Sequence, residues 1–95
     1  MNIILDLITH KLNENGFHAK CINNTISICY IADNIEVMFG AVWIFKDYIR
    51  WRVSNSYYES LADYRSPSSY PDQYLKLDLL DVDEFIAGIK RLSIK

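Results

Sequence analysis

The stretch FHAKCINNTISICYI, Phe17 to Ile31, alternates side chains on either side of a central Asn23-Asn24 pair. Asparagine tolerates positive φ, so this pair suits the two-residue loop of a β-hairpin. With those two residues as the loop, Ile22 faces Thr25, Cys21 faces Ile26 and Ala19 faces Ile28. One face of the ribbon then carries Phe17, Ala19, Cys21, Ile26, Ile28 and Tyr30. The other carries His18, Lys20, Ile22, Thr25, Ser27 and Cys29. The first set is a core face and the second is mostly polar, so the register follows from the burial it achieves.

The same reasoning extends toward the C-terminus. Ala32-Asp33-Asn34 reads as the next turn, and Ile35 to Phe39 as a strand with Gly40 as a bulge or break. Val42 to Phe45 and Tyr48 to Val53 form a second hairpin about Lys46-Asp47. Its register sets Phe45 opposite Tyr48, Ile44 opposite Ile49, Trp43 opposite Arg50 and Val42 opposite Trp51. Val42, Ile44, Ile49, Trp51 and Val53 share one face. Trp43, Phe45, Tyr48, Arg50 and Arg52 share the other. A single long strand through Gly40 is the alternative arrangement. Tyr74 to Leu80, with Leu75, Leu77 and Leu79 alternating, reads as a further short strand.

Helices enclose these strands in sequence. Asn2 is placed to cap a helix from Ile3 to about Asn15, with Ile4, Leu5, Ile8 and Leu12 along one stripe and Gly16 as its left-handed terminator. Asp81 opens the last helix, Glu84 completes a capping box, and Leu80 and Phe85 occupy the staple positions. Val82, Phe85, Ile86, Ile89 and Leu92 follow helical spacing, and Gly88 lies inside it. The pattern predicts one α+β domain over residues 1–95. Its antiparallel sheet has four to six strands, with an N-terminal and a C-terminal helix packed on it.

Composition narrows the class. Ninety-five residues, about half of them apolar, suffice for one core. No apolar run approaches the roughly 20 residues of a membrane span, and no signal peptide is expected at the N-terminus. Two cysteines fit a reducing compartment, so the expected location is cytoplasmic. The net charge of −2 hides an asymmetry, because seven acids between Glu59 and Glu84 face only Arg65 and Lys76. An acidic half disfavours binding to duplex phosphates and suits a basic protein partner.

Residues 54–74, SNSYYESLADYRSPSSYPDQY, hold five of the seven tyrosines, six serines and both prolines. Tyrosine gives contact area at low entropic cost and serine gives adaptable polar contacts, a composition typical of binding loops. Within this segment a short helix near 57–64 is expected, capped by Ser56 and ended by Arg65-Ser66-Pro67, with Tyr57, Leu61 and Tyr64 on one face. Tyr58 and Tyr70 would then face outward.

Chemical motifs are sparse. His18, Cys21 and Cys29 lack the spacing and the shared face of a zinc site, and no metal or cofactor is expected. Cys29 opposite His18, with Asp33 or Glu36 as orienter, is a nominal thiol–imidazole pair, but it lacks a glycine-rich turn or helix N-terminus to hold an oxyanion. No phosphate-loop, nucleophile-elbow or dinucleotide fingerprint occurs. The chain therefore reads as a binder, without catalytic residues. The expectation is a small interaction protein of inhibitor, immunity or anti-defence type that occludes a protein partner through Tyr57, Tyr58, Asp63, Tyr70, Asp72 and Tyr74. The alternative is a single-stranded nucleic-acid binder using Trp43, Phe45, Tyr48, Arg50 and Arg52. A homodimer that pairs this aromatic-basic face with itself is a third arrangement.

Overall fold

Asn23 and Asn24 adopt φ of 52° and 62°, and Asp33 and Asn34 adopt 51° and 63°. Both pairs thus form left-handed two-residue turns whose twist matches the strands they join. The computed structural model describes residues 3–54, 67 and 70–93 of the chain. The asparagine expected to cap the first helix, Asn2, and the short helix expected near 57–64 lie outside the described residues.

Among the described residues, five strands form one antiparallel sheet in sequence order: β1 (His18–Ile22), β2 (Thr25–Ala32), β3 (Ile35–Ile44), β4 (Tyr48–Val53) and β5 (Gln73–Lys76). Helix α1 (Ile3–Glu14) precedes them and helix α2 (Val82–Ser93) follows. The α+β class and both hairpin registers are as the alternation predicts, with Cys21 opposite Ile26 and Trp43 opposite Arg50.

Among the described residues, one face of the sheet and helices α1 and α2 enclose one core. Leu5, Ile8 and Leu12 of α1 and Ile86 and Ile89 of α2 join Ile26, Ile28, Tyr30, Val42 and Ile49 of the sheet. Phe39 sits at the centre with no exposed surface, stacked on Phe17 at 5.8 Å and edge-on to Tyr30 at 5.6 Å. The C-terminus of α1 feeds β1 through a left-handed cap. Gly16 has φ of 92°, its N–H donates to Asn13 C=O at 3.2 Å, and Phe17 N–H donates to Leu12 C=O at 3.1 Å. At the start of α2, Asp81 Oδ1 accepts from Glu84 N–H at 3.2 Å, as the capping box requires.

Two expectations are refined. Of the readings offered at Gly40, the bulge and the single long strand both hold, and β3 runs unbroken through the bulge. Ile28 pairs with Gly40 and Cys29 with Met38, leaving Phe39 as the extra residue. The bulge re-phases β3, so that Val37 and Phe39 before it and Val42 after it all reach the core. Ser54 N–H donates to the Phe39 carbonyl at 2.9 Å. Glycine is needed at 40 because a Cβ there would lie 2.5 Å from Val53 Cγ1 and 2.7 Å from the Arg52 carbonyl. The second concerns the strand expected from Tyr74 to Leu80. It ends at Lys76 and becomes a 3-10 turn over Leu77–Leu79. Its neighbour β4 starts only at Tyr48, and the last cross-link is Leu77 N–H to Asp47 C=O at 3.0 Å.

Candidate functional site

The face of the sheet turned away from the helices carries the side chains with most binding character. Alternation along β4 directs Ile49 into the core and Tyr48, Arg50 and Arg52 outward, and β3 contributes Trp43 by the same rule after its bulge. Cross-strand pairing then aligns Ile22, Thr25, Trp43, Arg50 and Tyr74 in one row across all five strands.

Arg50 is the hub of this face. Its guanidinium lies 4.4 Å from the Trp43 ring centre and 5.2 Å from that of Phe45. Phe45 stacks on Tyr48 at 4.7 Å, and Tyr48 approaches Tyr74 at 6.0 Å. Each cation–ring contact of this kind stabilises by about 0.5–2 kcal/mol, increasing as water is excluded. Trp43, Tyr48, Arg50 and Arg52 are half-buried, whereas Phe45 is 39% and Tyr74 60% exposed. Among the described residues, no helix covers the stack.

Asp72 joins the same face. Its Oδ1 accepts from Arg52 Nε at 2.6 Å, and its Oδ2 lies 4.0 Å from Arg50 Nε. The Arg52 hydrogen bond holds the Asp72 carboxyl below the usual carboxylate range, and the same bond raises the Arg52 guanidinium further. Among the described residues, Arg50 Nε is buried without a hydrogen-bond partner. One guanidinium is therefore locked by Asp72, while its neighbour is held by rings and retains donor capacity.

The residues expected to bind a partner through the tyrosine-rich segment divide between surfaces. Asp72, expected to face a partner's basic rim, is engaged by Arg52, and Tyr74 stands beside Tyr48. Tyr70, expected to face outward, is half-buried and lines a groove on the opposite side of the sheet. Tyr57, Tyr58 and Asp63 lie outside the described residues. Sequence reasoning missed that Asp72 and Lys76 belong with the aromatic-basic set. The signal was available, since residues 72, 74 and 76 share one face of an extended segment.

The His18–Cys29 pair occurs in its expected register, but the imidazole Nδ1 contacts Glu36 Oε2 at 3.3 Å. Burial first, and the Glu36 charge second, push the Cys29 thiol up, so it stays protonated at neutral pH. Among the described residues, no group of three His, Cys, Asp or Glu side chains is arranged to hold a metal ion. No described helix is long and apolar enough to cross a membrane.

No protein-family model matches the chain, and comparison with curated proteins and with solved structures gave no significant match.

Proposed function

We propose that this chain is a non-catalytic interaction protein that captures a protein partner on the outer face of β3, β4 and β5. The observation that supports this reading is the Trp43–Arg50–Phe45 stack. Interface energy concentrates in Trp, Tyr and Arg side chains, and groups already held in place lose less freedom on binding. Arg50, fixed between two rings, meets both conditions.

Asp72 favours protein over single-stranded nucleic acid. It neutralises one of the two arginines, whereas a phosphate chain is held through several free cations. Capture would act by occlusion, as inhibitors, immunity proteins and anti-defence factors do. The cytoplasm, where both free thiols stay reduced, is the compartment this reading assigns.

The test pairs affinity capture from the native host with a Trp43→Ala, Arg50→Ala double variant. The partner should be lost while the melting temperature falls by no more than about 5 °C. Undiminished capture, or loss that follows unfolding, would overturn the reading. Salt-sensitive quenching of tryptophan fluorescence by an oligothymidylate would replace it with the nucleic-acid alternative. A dimer dissolved by the double variant would replace it with self-association.

A further inference from the structure

The two edges of the sheet are treated differently. At β1, the Asn13 side chain bonds both backbone groups of Ala19, with Ala19 N–H to Oδ1 at 2.9 Å and Nδ2 to Ala19 C=O at 3.0 Å. At β5 no such device is present among the described residues. Phe45 N–H donates to Tyr48 C=O and Leu77 N–H to Asp47 C=O, which sets the phase of the ladder. Tyr48, Arg50 and Arg52 bond toward β3, whereas Ile49 and Trp51 bond toward Leu75 and Gln73. The N–H and C=O of Tyr74 and the N–H of Lys76 therefore point away from the sheet. Among the described residues no hydrogen bond reaches them.

Beside this edge runs a groove of about 710 Å³ between the inner face of β4–β5 and helix α2. Trp51, Val53 and Leu75 form one wall, and Phe85, Gly88 and Leu92 form the other. Gly88 is the informative member. Glycine in a helix interior is destabilising relative to alanine. Among the described residues, a Cβ at 88 would meet only the end of the Arg91 side chain, at an ordinary 3.7 Å. What its absence provides is depth in the groove.

We propose that the β5 edge takes an extended segment of a partner protein as a sixth strand, with every second side chain of that segment entering the groove beside Gly88. Main-chain bonds to Tyr74 and Lys76 supply affinity, and the groove selects apolar residues at alternate positions. The intervening positions lie on the side of Lys76, so an acidic residue fits there. In a second copy the alternate side chains of β5, Gln73 and Leu75, already line that copy's own groove, which favours a separate partner segment over self-association. This edge site is separate from the outer-face stack and holds whether or not that face docks a protein.

The test selects phage-displayed linear peptides of about ten residues on the full chain, then titrates a labelled synthetic peptide by fluorescence anisotropy. Alternating apolar and acidic residues are expected. Lys76→Pro should weaken binding about tenfold, because it deletes an outward N–H, whereas Lys76→Ala should retain most of the affinity. The backbone φ of −67° at this position already suits proline. Gly88→Leu should weaken binding to a similar extent by filling the groove, and N-methylation of alternate peptide amides should do the same. Melting curves confirm that each variant folds. Trp43→Ala should leave peptide affinity within about twofold, which separates failure of this site from failure of the outer-face reading. Three results would overturn the proposal: no peptide selected, binding that survives both Lys76→Pro and Gly88→Leu, or a wild-type dimer that Lys76→Pro dissolves.

Discussion

Asn13 is joined to Ala19 as one strand is joined to the next: its side-chain amide gives one hydrogen bond to the backbone of Ala19 and receives one from it, at 3.0 and 2.9 Å. A residue at the end of α1 thus occupies the place a foreign strand would take on β1, a form of edge protection. Asn13→Ala is expected to destabilise the fold by about 1–2 kcal/mol and to promote self-association through β1. Urea denaturation and sedimentation velocity measure the two effects. An unchanged midpoint with a monomer at every concentration would show the amide to be dispensable.

Gly40 is expected to tolerate no side chain. Val53 Cγ1 and the Arg52 carbonyl both lie within 3 Å of where a Cβ would stand, so Gly40→Ala must displace backbone on β4. A loss of about 2–3 kcal/mol is expected, in the range of core overpacking. Equilibrium unfolding would detect it, and a neutral result would mean that the bulge relaxes freely.

Asp72 predicts a pH dependence with a definite sign. In the folded state its carboxyl is held below the usual carboxylate range, chiefly by the Arg52 hydrogen bond. Its contribution to stability is therefore present in full above the ordinary carboxylate pKa and is lost as pH falls through the lower folded value. Thermal melts below pH 4 should show a decline that Asp72→Asn lacks. Parallel profiles for the two proteins would show that the ion pair adds nothing to stability.

Gly88→Ala is expected to stabilise the protein by about 1 kcal/mol through helix propensity alone. Among the described residues, the added methyl makes only an ordinary contact with Arg91. Differential scanning calorimetry should show a raised melting temperature. A fall would mean that glycine at 88 serves the packing of α2.

Much of the sheet was legible because its hairpins announce themselves locally. Asn-Asn at a two-residue turn and strict alternation on either side leave one register that buries Ile26 and Ile28. The same alternation assigned Trp43, Phe45, Tyr48, Arg50 and Arg52 to one face. β3 was harder to read, because an extra residue at Phe39 shifts the apolar period from odd to even positions and mimics a break. The end of β5 misled for the opposite reason, since Leu75, Leu77 and Leu79 keep a strand's period where no neighbouring strand remains to pair. The contact of Asp72 with Arg52 spans 20 residues of chain, so alternation shows the face that Asp72 shares with Tyr74 and Lys76 but not its partner. The amide clasp of Asn13 on Ala19 is equally invisible, because it depends on how α1 is set against β1.

The extra residue at Phe39 lets β3 keep its neighbours in register on both sides although its apolar positions change from odd to even. Excising the Phe39 codon would leave Val42 opposite Ile26 and Trp43 opposite Arg50, so the ring-and-guanidinium surface would persist while the interior lost its central ring. A lineage carrying this domain could thus shed the irregularity in one small genetic step, with its outward chemistry intact and its interior hollowed.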